Sequence, residues 1–194
     1  MNSNPVGVLA IQGDFERHLE AVRSCGAEGR EVRTPQELDR VDRLIIPGGE
    51  SSTVGMLMMR FGMMEAVRAR AGQGMPIWGT CMGMILLAES IEGSDQPRLG
   101  LMEITVRRNA FGAQVHSFES AVEVSILSEP LNAVFIRAPI VVQWGPSVEV
   151  ICRWQDHVVG VRSGSVLGTS FHPELTDDRR MHEWFLAWDP SSSG

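Results

Sequence analysis

Lysine is absent from this chain of 194 residues; all 17 of its strongly basic residues are arginine. A phosphate-binding loop of the kind that needs a lysine is therefore excluded. So is a Schiff base formed by a side-chain amine, and covalent chemistry must use another nucleophile. Basic runs are missing too, and the formal net charge is -7, which argues against a nucleic-acid partner. Cysteine is scarce. Cys25, Cys81 and Cys152 are widely spaced, odd in number and without a CxxC pair, which argues against a disulfide framework and a zinc site. No metal and no cofactor are expected. No apolar run reaches the roughly 18 residues of a membrane span. The opening MNSNPVGVLAIQGD has no basic stretch followed by a long apolar one, so no signal peptide is expected and a soluble cytoplasmic protein is. Repeats, linkers and low-complexity segments are also missing. The length suits one domain, expected over residues 1–189, with a frayed tail at 190–194.

Apolar residues gather in short runs. Residues 6–11 read as a buried strand ending at Gln12-Gly13, after which Asp14 is placed to cap a helix to about Ser24, with Phe15, Leu19 and Val22 on one face. Residues 31–33 and 43–46 read as strands, the second stopped by Pro47-Gly48-Gly49. Ser51 or Ser52 is expected to cap a methionine-rich helix that continues past Gly62. A fourth strand at 76–78 precedes a helix over 84–88. This alternation predicts a parallel sheet covered on both faces. Beyond Gly93 the pattern changes to strands over 101–106, 121–127, 133–137, 148–154, 157–162 and 166–171, with a hairpin across Ser163-Gly164-Ser165. An amphipathic helix over 177–188 turns Met181, Trp184, Phe185 and Trp188 inward. The expected class is α/β: an open mixed, mainly parallel central sheet with helices on both faces and added antiparallel strands in the C-terminal half.

Gly79-Thr80-Cys81-Met82-Gly83 fits G-x-nucleophile-x-G, the elbow in which a sharp strand-to-helix turn lifts a nucleophile above a sheet. The helix that follows favours a thiolate through its dipole and free N–H groups, and the Met82 N–H is placed for an oxyanion. The alternative is a buried cysteine at a glycine-flanked bend. A cysteine nucleophile needs a base and a group to orient it. His18 and His182 fall on predicted helices and read as solvated or half-buried, His157 reads as an exposed turn residue, and His116 stays undecided in a polar loop. His172 stands at a strand end in Phe171-His172-Pro173-Glu174, where Pro173 favours extended backbone and residues two apart share a face. Glu174 would then fix the imidazole's tautomer. Pro47-Gly48-Gly49-Glu50-Ser51 also follows a parallel strand, on the sheet edge where such folds bind ligands, and its glycines let backbone N–H groups approach.

These three pieces, in this order, resemble the class I, triad-type glutamine amidotransferases. VGVLAIQGDFERHLEAV, LIIPGGESST, GTCMGMILLA, RRNAFGAQVHSFE, FIRAP and FHPELT are similar to the glutaminase subunit of pyridoxal 5′-phosphate synthase, over the chain to about Trp184. The resemblance implies a flavodoxin-like sheet and a mechanism. Cys81 attacks the side-chain amide of L-glutamine, His172 carries the proton to the leaving ammonia with Glu174 behind it, and the thioester is hydrolysed to glutamate. It further implies an oxyanion hole from the amides of Gly49 and Met82. Glutamine would be held by Gly49, Glu50 and Ser51, with Arg108 on its α-carboxylate side and Ile136 and Arg137 lining the pocket. It implies a hetero-oligomer with a barrel-shaped synthase subunit. That subunit receives the ammonia and makes the cofactor from ribose 5-phosphate and glyceraldehyde 3-phosphate. The lack of lysine agrees, since imine chemistry on a sugar must then reside elsewhere.

Met82 stands where this subfamily usually has alanine, and Ala113 and His116 stand where an arginine and an aspartate are expected. Met56, Met58, Met59, Met63 and Met64 admit two readings, core packing or an adaptable contact surface. The rival functions are the glutaminase subunit of another biosynthetic pathway and a stand-alone thiol hydrolase.

Overall fold

A computed structural model describes residues 5–111 and 117–192. The first half alternates as expected. It runs β1 (Val6–Leu9), α1 (Phe15–Ser24), β2 (Gly29–Val32), α2 (Pro35–Leu38), β3 (Arg43–Ile46), α3 (Ser51–Arg60), α4 (Met63–Gly72), β4 (Ile77–Thr80), α5 (Met82–Leu87) and β5 (Ala88–Ile91). The second half is strand-rich: β6 (Met102–Arg107), β7 (Ser117–Val122), β8 (Leu131–Ile136), β9 (Ile140–Trp144), β10 (Glu149–Trp154), β11 (His157–Ser163) and β12 (Val166–Thr169). α6 (Arg180–Ala187) follows, and Pro190–Ser192 forms a short 3-10 turn.

The main sheet has the order β2-β1-β3-β4-β12-β11-β9-β6-β5, with β10 paired to β11. From β2 to β12 every pairing is parallel, the doubly wound arrangement; β11 then reverses direction. The hairpin at Gly164 joins β11 to β12, with Ser163 opposite Val166. β7 and β8 form a separate antiparallel pair.

Alternation along the central strands sorts the core into two layers. Val6, Val8, Ile45, Trp78 and Leu167 pack with Leu19 and Val22 of α1 and with Met181 and Phe185 of α6. Their neighbours Leu9, Leu44, Ile46, Ile77 and Val166 face the other way, onto Val54 and Met58 of α3, Met63 and Val67 of α4 and Leu86 of α5. A strand buried on both faces must be apolar at every position, which is why the short runs contain so few polar residues. Each such side chain contributes about 1.5–3 kcal/mol by leaving water.

Several local expectations change. Asp14 makes no side-chain cap on α1. Glu50, not Ser51 or Ser52, caps α3: its carboxylate accepts from the Ser52 and Thr53 N–H groups, and these bonds pull its pKa down to about 2. The methionine-rich segment is two helices, because Gly62 takes left-handed backbone between them. α5 starts at Met82 rather than residue 84, and the strand expected over 121–127 lies at β7 and ends at Val122. The strand expected to reach Phe171 ends at Thr169, and the last helix starts at Arg180 rather than 177. α2, β5 and β9 carry too short a pattern to stand out. The methionines divide: Met58, Met63 and Met64 are buried, while Met56 and Met59 are exposed. Ala113 and His116 lie outside the described residues.

Candidate active site

Three strand ends build the site. β4 ends at Thr80, and Cys81 follows with φ 50° and ψ -105°. That backbone is unfavourable for any residue with a side chain, and it costs about 1–3 kcal/mol. The surroundings enforce it. The Cys81 N–H donates to the Thr169 carbonyl at 2.7 Å. A Cβ on Gly83 would fall 2.0 Å from the Ile46 carbonyl oxygen, and one on Gly79 would fall 2.5 Å from the Gly83 backbone. Both flanking glycines are therefore needed for the helix to meet the sheet so closely.

β12 leads to His172, whose N–H donates to the Val134 carbonyl at 2.8 Å. His172 Nδ1 lies 2.7 Å from Glu174 Oε1. The expected pair thus forms, but not through extended backbone. Pro173–Leu175 is a 3-10 turn, and the turn folds Glu174 back under the imidazole. Burial opposes charge on His172, yet hydrogen bonds and attraction from Cys81 and Glu174 outweigh it and raise the imidazole's pKa. Burial likewise opposes charge on Glu174. The hydrogen bond from His172 and the attraction of its charge prevail and hold the carboxyl below its ordinary value. The Cys81 thiol also reaches the Ile136 carbonyl at 3.7 Å.

β3 ends in the glycine loop. Gly48 lies against the imidazole, since a Cβ there would be 2.6 Å from His172 Cε1. On its other side the Gly48 carbonyl oxygen presses on Gly13, where a Cβ would fall 1.7 Å away; Gly13 adopts φ 96°, a backbone that favours glycine. The Glu50 N–H donates to Gln12 Oε1 at 3.1 Å.

A cavity of about 390 Å³ opens between these loops. Gly49, Glu50, Ser51, Cys81, Met82, Arg108, Ile136, Arg137 and His172 all line it, and Glu174 sits behind His172. Asp14, Ile85 and Asn109 line it as well, and sequence reasoning does not nominate them. The sequence marks Asp14 only as a cap. It brings a carboxylate oxygen within 4.8 Å of atoms on His172 and Glu174. Arg108 Nη1 donates to Gln96 Oε1 at 2.9 Å, and that oxygen also accepts from Ser52 Oγ at 3.1 Å, which ties the arginine to α3. A larger cleft of about 510 Å³ lies beside Cys152 and Pro130 but has no histidine. Burial pushes the Cys152 thiol up to about 12, so chemistry favours the smaller cavity.

His157 is half-buried and stacked on Trp154, not an exposed turn residue. His18 and His182 are fully buried, against the reading of them as solvated. Their helix positions carry the missed signal: His18 stands three before Ala21 and four before Val22, and His182 three before Phe185, all core residues. Among the described residues no helix is long and apolar enough to cross a membrane.

The chain is similar to several known proteins. The chain is 50% identical over 182 residues to the pyridoxal 5′-phosphate synthase subunit PdxT of Pelotomaculum thermopropionicum, covering 93% of each chain. It is 53% identical over 192 residues to the protein of the same name from Mycolicibacterium vanbaalenii, covering 96% of this chain and 98% of that one. A crystal structure of a glutamine amidotransferase superposes with a TM-score of 0.90 at 50% identity, over 93% of this chain and 96% of the other. A glutamine amidotransferase from Thermotoga maritima, 15% identical, shares the fold with a TM-score of 0.64 over 98% of this chain and 88% of that one. The model of the SNO glutamine amidotransferase family matches residues 8–188, and the chain belongs to that family.

Proposed function

We propose that this chain hydrolyses L-glutamine to L-glutamate and ammonia, and that it does so as the glutaminase subunit of a pyridoxal 5′-phosphate synthase. One observation carries the reading: Cys81, on its strained elbow, and the bonded pair His172–Glu174 meet at one cavity. The cavity also suits an amino acid. Glu50 and Asp14 offer carboxylates to an ammonium group, and Arg108 and Arg137 offer guanidinium groups to a carboxylate.

Cys81 Sγ, its proton passed to His172 Nε2, adds to the side-chain amide carbon of glutamine. The carbonyl oxygen takes the negative charge and is met by the N–H groups of Gly49 and Met82. Loss of one such donor typically costs about 10²–10³ in rate. His172 returns the proton to the amide nitrogen, the C–N bond breaks and ammonia leaves, with a thioester on Cys81. Water, deprotonated by the same imidazole, adds to the thioester and releases glutamate and the thiol. Glu174 holds Nδ1–H, so Nε2 faces the sulfur, and supports the imidazolium while it exists. Met82 contributes through its backbone, so a side chain larger than alanine leaves this role intact.

The ammonia would pass to a barrel-shaped synthase subunit in a cytoplasmic hetero-oligomer, which makes the cofactor from ribose 5-phosphate and glyceraldehyde 3-phosphate. The names of the relatives and the absence of lysine support that division of labour. The test is ammonia release from glutamine, measured with the synthase present. Cys81→Ala is expected to abolish it, while Cys25→Ala and Cys152→Ala retain it. Full activity in Cys81→Ala would refute the assignment.

A further inference from the structure

Behind the catalytic groups lies a second polar chain that the reaction above does not use. His18 on α1 and His182 on α6 are both 0% exposed. His18 Nδ1 lies 3.0 Å from His182 Nε2. His18 Nε2 lies 3.2 Å from Thr80 Oγ1, the residue before the nucleophile, and 3.3 Å from Glu174 Oε2. The approach to Glu174 is short but out of line for a full hydrogen bond, and among the described residues Oε2 has no hydrogen-bond partner. Its other oxygen is committed to His172.

The protons on this chain follow from one constraint. An anionic oxygen does not rest 3.3 Å from a nitrogen lone pair when the ring can present N–H instead, so His18 carries its proton on Nε2. Its Nδ1 is then an acceptor, and His182 must donate from Nε2. That leaves His182 Nδ1 bare, and it is the atom without a partner among the described residues. A bare acceptor is a smaller loss than a buried unpaired N–H. The assignment therefore accounts for one orphaned atom and turns an N–H dipole toward the other, Oε2.

Resting on the glutaminase reading, we propose that His18 is a positioning residue of this site. As a neutral imidazole it holds its Nε2–H between Thr80 Oγ1 and Glu174 Oε2, which keeps Oε1 on His172. His182 sets its tautomer. Neutrality matters to the role. A neutral donor orients the carboxylate and leaves its full charge for the His172 imidazolium; a cation would cancel that charge. The charged groups acting on His18 are Glu174 beside it, His172 beyond, Asp14 ahead of α1 and Arg179 ahead of α6. Burial outweighs their net pull and keeps the ring neutral.

Two measurements test this. Imidazole nitrogen-15 NMR of the intact chain near pH 7 is expected to show His18 protonated at Nε2 and bare at Nδ1. The opposite tautomer, or a doubly protonated ring, would overturn the proposal without reference to activity. In the glutaminase assay with the synthase, His18→Leu is expected to lower kcat by about 10-fold, the low end of the worth of a hydrogen bond to a charged group, since this approach is out of line. KM is expected to stay nearly unchanged, because Glu174 acts on the imidazole and not on the substrate. His18→Gln, whose amide N–H reaches where Nε2–H stood, restores most of the rate. A raised KM with kcat unchanged, or equal impairment in the leucine and glutamine variants, reduces His18 to packing and sinks the role. If His18→Leu does not fold, the glutamine variant and the NMR decide. A folded wild-type chain that releases no ammonia from glutamine removes the glutaminase reading itself.

Discussion

The left-handed backbone at Cys81 sets stability against activity, and the size of that conflict follows from the structure. Cys81→Ala and Cys81→Gly both delete the same buried thiol, so the packing lost with sulfur cancels between them. What differs is φ 50°. Alanine keeps a Cβ in that conformation and keeps the strain of about 1–3 kcal/mol. Glycine relieves it, at an ordinary cost of about 0.5–1 kcal/mol in conformational freedom. The balance favours glycine by roughly 0.5–2 kcal/mol. At about 2–4 °C per kcal/mol for a domain of this size, Cys81→Gly should melt a few degrees above Cys81→Ala. Urea and thermal unfolding of the two variants measure it. If Cys81→Gly is the less stable of the pair, by its usual half to one kcal/mol, the elbow is not strained in solution and the reasoning fails.

Gly83→Ala places a Cβ 2.0 Å from the Ile46 carbonyl oxygen, which is backbone and cannot yield; a loss of at least about 1–3 kcal/mol is expected by denaturant titration, with glutaminase activity falling as α5 shifts. Acid should unfold the protein early. Burial pushes His182 down to about 3 from 6.5 and lowers His18 as well, so both take up protons on unfolding; their stabilising effect is complete above pH 6.5 and is lost as pH falls, by about 1.4 kcal/mol per unit per group. The shifts of His172 and Glu174 do not oppose this between pH 6.5 and 4.5: raised His172 contributes fully below 6.5, and lowered Glu174 loses nothing until pH falls below 4.5. Equal unfolding free energies at pH 7 and 5 would contradict it. Finally, Cys81→Ala with the synthase and added ammonium salt should still yield cofactor; failure of that rescue would mean that this chain does more than supply ammonia.

What can be read in the sequence is local. A glycine on each side of Cys81, two glycines after Ile46 and a proline after His172 state their backbone requirements within a few residues, and the residues nominated from them line one cavity, with Glu174 behind His172. The amphipathic periods of α1 and α6 are legible for the same reason. What escapes depends on partners far along the chain. His18 meets His182 across 164 positions and Thr80 across 62, and although each stands on the buried face of its helix, nothing local names the polar groups it will meet. Glu50 escapes notice as a cap because serine is the commoner choice, yet a carboxylate can serve two N–H groups at once. β5, directly after α5, exists because β6 pairs with it, and a four-residue strand set by its neighbour has no period of its own to show.

The stacking of Gly13, Gly48 and His172 has a mechanical consequence. The three belong to different loops, and each touches the next at distances that leave no room for a methyl group. Such a column has no slack. Turning the Gly48–Gly49 peptide must swing an oxygen off Gly13, slide a Cα along the imidazole and strain the link from Gln12 to Glu50. The glycine loop is thus geared to the segment that leads into α1. A push on residues 12–14 from outside reaches the Gly49 amide and the His172 ring together, and whatever leans on that segment moves two walls of the cavity at once.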